Sequence, residues 1–105
     1  MGMAAAKVYC VCEDIESQKK FVKQFSGYKL DKTTHVFKNE EVIEMVDVPS
    51  GLVIARYNTK NMSEAIRQFT ADSSIQDKLN VARNKTSYAD ACETLKKLIL
   101  EYNTK

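Results

Sequence analysis

The sequence predicts an α+β domain built on a mainly antiparallel sheet of four to five strands. Short apolar runs between residues 35 and 57 are separated by turn residues, which is typical of antiparallel hairpins. Between residues 61 and 102, apolar residues recur at helical spacing. A third pattern, also helical, follows the first strand. The predicted order is therefore one strand, one helix, three or four strands, and a C-terminal run of two to three helices packed on one face of the sheet.

The N-terminal part predicts a strand followed by a helix. Residues 7–13 form the strand, in which Cys10 and Cys12 share one face because alternate residues point the same way. Asp14 is a favourable helix N-cap, and Gly27 is a natural stop. Between them lies a stripe at helical spacing, formed by Ile15, Gln18, Phe21, Val22 and Phe25. The sequence therefore predicts a helix that leaves Lys19, Lys20 and Lys23 on its outer face.

Turn residues separate the strands that follow. Residues 28–30 are predicted to be a short strand or an extended linker. Residues 35–38 and 41–48 are expected to pair around Asn39-Glu40, because Asn tolerates the positive φ of tight hairpins. The segment Pro49-Ser50-Gly51 predicts a turn with a left-handed glycine. It leads into a last strand over residues 52–57.

Three capped helices are predicted at the C-terminal end. Asn61 is expected to cap the first helix, and residues 71–73 to interrupt it. Ser74 and Ser87 are the predicted caps of the second and third helices. The last helix has the most regular apolar stripe, which consists of Tyr88, Ala91, Cys92, Leu95, Leu98, Ile99 and Tyr102.

Length and composition predict a single intracellular domain. The chain has 105 residues and a net charge of +2, which is too small to indicate nucleic-acid binding by itself. We interpret residues 1–6 as a disordered N-terminus or the remnant of a tag, and 7–105 as one α+β domain. An odd count of three cysteines argues against a disulfide framework and favours a reducing, cytoplasmic location. No apolar run approaches the roughly 18 residues of a membrane span, so no membrane association is expected.

The residues that could support chemistry match no catalytic or cofactor motif. Cys10 and Cys12 could bind a soft metal, but their spacing fits no zinc pattern, and buried thiols are the simpler interpretation. His35 is the single histidine, and the sequence shows no group that would orient it as a general base. The three glycines are too scattered for a phosphate-binding loop. We therefore expect no metal, no cofactor and no catalytic residue.

Charge is segregated along the chain. Residues 19–38 contain six lysines and one acid, whereas residues 39–50 contain four acids and no base. Segregated charge of this kind orients partners. The predicted partner-binding residues are Lys19, Lys20, Lys23, Lys29, Lys32, Glu40, Glu41 and Glu44.

These observations favour a small non-catalytic binding or regulatory module that acts through protein–protein contacts. One alternative is a small enzyme with a cleft near His35. Another is a nucleic-acid binder that uses the lysine-rich first helix. A homodimer through the sheet is also expected, because residues 42–48 are more apolar than one buried face requires.

Overall fold

The structure, a computed structural model, describes residues 4–104 and consists of five strands followed by three helices. The strands are β1 Ala5–Glu13, β2 Lys20–Lys29, β3 Thr34–Asn39, β4 Val42–Asp47 and β5 Val53–Tyr57. The helices are α1 Met62–Ala71, α2 Ser73–Arg83 and α3 Thr86–Asn103. All strand pairs are antiparallel, and the strands lie in the sheet in chain order. The predicted α+β class and antiparallel sheet are confirmed.

The predicted helix after the first strand is wrong, because that segment forms a loop and then β2. Residues 20–28 of β2 pair with β1 along a continuous antiparallel register that begins with Glu13 opposite Lys20. The apolar residues that suggested a helical stripe also suit a strand, since Phe, Val and Tyr are all favoured in strands. Backbone pairing with the nine-residue strand β1 favours the strand periodicity over the helical one. The order is thus five strands and then three helices.

Asp14 accepts the hydrogen bonds expected of a helix cap, but no helix follows it directly. These hydrogen bonds instead stabilise the loop between β1 and β2. Its Oδ1 accepts hydrogen bonds from the amides of Glu16 and Ser17, at 2.9 and 3.3 Å. The Asp14 amide donates to the Lys19 carbonyl at 2.9 Å, and Gln18 is left-handed with a φ of 59°. An Asp followed by a turn of backbone gives the same local signal whether or not a helix continues.

Gly27 does not end a helix; it allows a close approach within the sheet. A Cβ at this position would lie 2.4 Å from the Val36 carbonyl oxygen and 2.7 Å from Cγ2 of Val8. β2 pairs with β3 only at Tyr28 and Lys29. The other residues of β2 do not pair with β3. The long β1–β2 hairpin therefore bends away from β3 and lies across one side of the sheet.

The side of the sheet that the bent β1–β2 hairpin covers is called the inner face, and it contains a small apolar cluster. Val8, Phe25, Phe37 and Val46 pack together there, with the two phenylalanine rings stacked 4.3 Å apart. The Val11 amide donates to the Gly51 carbonyl at 2.8 Å and holds the hairpin against the β4–β5 turn. Both faces of β4 are therefore buried within a single chain. The apolar side chains of residues 42–48, which suggested a homodimer, are covered by the chain's own elements.

All three helices pack on the other side of the sheet, which we call the outer face. Helices α1 and α2 cover β3, β4 and β5, whereas α3 covers β1 and β2. The buried residues of the outer face are Val22, Val36, Ile43, Met45, Ala65, Phe69, Leu79, Leu95 and Leu98. The predicted packing of the C-terminal helices on one face is therefore observed.

Some turns and caps differ from their predictions by one or two residues. Gly51 is left-handed as predicted, with a φ of 70°, but the positive φ of the β3–β4 turn is at Glu40 and not at Asn39. Asn61 caps α1 as predicted, by accepting from the Glu64 amide. The predicted Ser74 and Ser87 caps are wrong.

Two other residues occupy those cap positions. Asp72 caps α2 by accepting from the amides of Ser74 and Ile75. Lys85 occupies the cap position of α3 without a side-chain hydrogen bond. A serine close to a helix start therefore did not locate that start to the residue.

The N-terminal prediction lies partly outside the described residues, which begin at residue 4. Ala5 and Ala6 already belong to β1, so this strand begins two residues before the predicted position. Among residues 4–104, no helix is both long and apolar enough to cross a bilayer.

Candidate functional site

A cleft of about 590 Å³ lies where β2 passes into β3. Lys29, Asp31, Lys32, His35 and Val48 line it. Two of the lysines predicted to bind partners therefore meet the single histidine at one place. The other candidate residues lie elsewhere.

The sheet register and a tight turn build this cleft. Lys29 is directly opposite His35 in the β2–β3 pair, so their side chains emerge on the same face. Asp31 Oδ1 accepts from the amide and the hydroxyl of Thr33, at 2.8 and 3.1 Å, which fixes the turn that carries Lys32. The Val48 amide donates to the Thr33 carbonyl at 2.8 Å and holds the wall of the cleft in place.

The cleft has a positive character. Within residues 4–104, neither Lys29 nor Lys32 forms an ion pair with a carboxylate. The pKa of His35 is lowered, first because partial burial disfavours the imidazolium and second because the Lys29 ammonium repels it, although Asp31 opposes the shift. An anion in the cleft would relieve this repulsion.

The remaining predicted lysines lie at the far end of the β1–β2 hairpin and not on a helix. Lys19 is in the exposed loop, Lys20 is opposite Glu13, and Lys23 is exposed on β2 with its Nζ 6.0 Å from the centre of the Phe21 ring. The helical face on which these three lysines were predicted to converge is absent.

The predicted acidic residues separate in the same way. Glu40 and Glu41 are the two exposed residues of the β3–β4 turn. Glu44 is 3 % exposed on the inner face, and its Oε1 accepts from Nε and Nη2 of Arg56 at 2.8 and 2.6 Å. The structure therefore places the Glu44 carboxylate in the interior, apart from Glu40 and Glu41.

Asp47 organises the densest polar cluster, which the sequence did not reveal. Its Oδ1 accepts from Nη2 of Arg83 at 2.7 Å, and its Oδ2 accepts from the hydroxyls of Ser50 and Tyr88, both at 2.7 Å. Burial raises the pKa of Asp47, but these three partners outweigh burial and hold it below its ordinary value. Because these groups satisfy one another, we interpret the cluster as a structural junction of β4, α2 and α3.

The cysteines are free thiols in the interior or at its margin. Cys10 is 5 % exposed on the inner face, and burial together with the neighbouring Cys12 raises its pKa to about 12. A thiol with such a pKa is a poor nucleophile at neutral pH. Residues 4–104 contain no group of three or more side chains placed to hold a metal ion.

Sequence reasoning identified Lys29, Lys32 and His35 separately but did not bring them together. It did not include Val48 or the Asp47 cluster. The available signal was the β2–β3 register, which required residues 20–29 to be assigned as a strand.

In comparisons with known proteins, no family model, no curated protein and no solved structure matched this chain.

Proposed function

We propose that this protein is a non-catalytic binding module that acts through protein–protein contacts, with the Lys29–Lys32–His35 cleft as the place where an acidic segment of its partner binds. The observation that supports this proposal is the convergence of two lysines and a histidine around one open cleft. Lysine ammonium groups are flexible point charges suited to carboxylates on a mobile segment. Such complementary charge gives specificity and a faster association rate.

The lining of the cleft favours binding over acid–base catalysis. A hydrolytic site needs a nucleophile within reach of a base, and among residues 4–104 no Ser, Thr or Cys lines the cleft. The carboxylate of Asp31, which lines the cleft, accepts two hydrogen bonds that fix the turn. A small enzyme that relies on His35 would need to obtain its nucleophile from elsewhere.

A reducing compartment is part of the same proposal. Cys10, Cys12 and Cys92 are all free in the structure. Free thiols in these numbers are typical of cytoplasmic proteins.

The test uses a fluorescein-labelled octaglutamate peptide at low salt. We expect the double variant Lys29→Glu/Lys32→Glu to bind it at least tenfold more weakly, which corresponds to about 1.4 kcal/mol. The matched control is Lys19→Glu/Lys20→Glu, which changes the net charge equally at the hairpin loop and should bind as the wild type does. In ¹⁵N-labelled protein, the peptide should shift the amides of Lys29, His35 and Val48.

The pH dependence of peptide binding provides a second measurement. Free His35 is neutral at pH 7 because its pKa is lowered, so it adds positive charge only as the pH falls through that value. We therefore expect affinity to rise as the pH falls below 6.5, the ordinary pKa of histidine, and His35→Gln to abolish this rise. Equal loss in both double variants would contradict the proposal. So would tighter binding to an oligouridylate that the Lys19→Glu/Lys20→Glu control abolishes, since that result points to nucleic acid.

A further inference from the structure

A second surface, independent of the cleft, lies between α2 and β5. Here Ile54, Ile75, Leu79 and Ala82 line an apolar groove of about 280 Å³. A second depression of about 370 Å³ shares Lys78 and Ala82 with it and extends to Val81, which is 61 % exposed. We call this continuous surface the α2 groove.

A β-bulge places Ile54 in the α2 groove. Met45 pairs with Ala55 and Val46 pairs with Val53, so Ile54 has no partner on β4. A bulge of this kind turns a side chain away from its alternating position. Ile54 accordingly packs with the outer-face cluster beneath α1 and α2, although simple alternation would direct it to the inner face.

β5 is also an edge strand, since it lies at the end of the sheet order. An edge strand presents backbone donors and acceptors that an extended chain can pair with. Within the part of the chain that the structure describes, the α2 groove therefore combines an apolar floor with a strand edge that no further strand pairs with. These two features together suit an extended peptide.

The rim of the α2 groove is mainly cationic. Lys78 and Lys85 lie along it with one acid, Asp77. Within residues 4–104, neither lysine forms an ion pair with a carboxylate. An occupant with acidic residues beside its apolar ones would complement both the rim and the floor. A second copy of this chain in a two-fold contact would instead place lysines against lysines, which disfavours a homodimer here.

We infer that the α2 groove binds an extended segment of a partner protein in which apolar side chains alternate with acidic ones. The apolar side chains would cover the accessible parts of Ile54, Ile75 and Val81. The acidic side chains would lie against Lys78 and Lys85. This site is additional to the one at Lys29–Lys32–His35 and uses different residues.

The test uses a fluorescein-labelled nonapeptide with leucine at three alternate positions and glutamate elsewhere, and a counterpart with lysine in place of glutamate. We expect the acidic peptide to bind and Val81→Asp to weaken it at least tenfold. Lys78→Glu should weaken the acidic peptide and strengthen the lysine peptide. The matched control is Leu100→Asp on α3, where Leu100 is 66 % exposed, and it should leave binding unchanged. Melting temperatures by circular dichroism confirm that each variant is folded.

Four results would overturn the inference: equal binding of the two peptides, no binding of the acidic peptide, equal loss in Leu100→Asp, or a sedimenting dimer that Val81→Asp abolishes. The Lys29→Glu/Lys32→Glu variant separates this inference from the proposed function. It should bind the nonapeptide within twofold of the wild type. If it loses this peptide as well, the α2 groove is not the site, and the cleft accounts for both peptides.

Discussion

At the scale of single residues, the Asp47 carboxylate connects three elements of the fold. It is 1 % exposed, and it joins β4 to Arg83 at the end of α2 and to Tyr88 in α3. Burial and the Asp47 carboxylate both raise the pKa of Tyr88, so this hydroxyl stays protonated and continues to donate. Because Arg83 and Tyr88 lie 36 and 41 residues further along the chain than Asp47, local sequence patterns do not show these two partners.

Asp47→Asn is expected to lower the free energy of unfolding at pH 7 by about 3 kcal/mol, because it leaves Arg83 partly buried without its counter-charge. The folded pKa of Asp47 lies below its unfolded value. Its contribution is therefore complete above about pH 4 and is lost as the pH falls through the folded pKa. Urea unfolding between pH 2 and 7 should show a flatter acid limb in the variant. The control is Asp77→Asn at an exposed position, and an Asp47→Asn protein within 1 kcal/mol of wild type would contradict this account.

At the scale of elements, β2 shows how one segment satisfies two periodicities. Phe21, Val22 and Phe25 fit a helical stripe, but on a strand Phe21 and Phe25 share the inner face while Val22 faces α3. Local propensity does not separate these alternatives. The backbone pairing with β1 and the stacking of Phe25 on Phe37 stabilise the strand conformation of this segment. By contrast, the C-terminal helices were predicted from regular apolar stripes, and all three helices were confirmed, although of their predicted caps only Asn61 was correct.

Gly27→Ala is expected to destabilise the protein by about 1–3 kcal/mol, because the added methyl group would press on a backbone carbonyl that cannot move alone. Thermal or urea unfolding measures the change. Ser26→Ala, at an exposed neighbouring position of β2, is the matched control and should remain within about 0.5 kcal/mol of wild type. A Gly27→Ala protein as stable as this control would show that the hairpin does not pack as closely as described.

At the scale of the whole molecule, the curled sheet places β3 and β4 at the centre. The helices cover them on the outer face and the β1–β2 hairpin covers them on the inner face. Phe37, Ile43 and Met45 have no exposed surface. The edges of the fold, the β1–β2 loop and β5, remain open to solvent. The two proposed binding sites lie at the margins of this core, and the α2 groove shares Ile54, Ile75 and Leu79 with it.

Native-state hydrogen exchange should follow this arrangement. The amides of β3 and β4 are expected to exchange most slowly, at rates set by global unfolding, and those of residues 14–19 to exchange fastest. Two-dimensional NMR after transfer to D₂O measures both sets in one experiment. If the amides of β4 exchanged as fast as those of β5, the double covering of the central strands would be wrong.

The sequence by itself determined the α+β class, the β3–β4–β5 meander, the left-handed Gly51 and the capped start of α1. Each of these depends on residues close together in the chain, where turn geometry and periodicity act directly. Only the tertiary structure decided that residues 20–29 form a strand, that Glu44 is buried, and that Lys29 and Lys32 meet His35. Those outcomes depend on pairing and burial between distant segments. The energies of such long-range contacts exceed the small differences between local conformations.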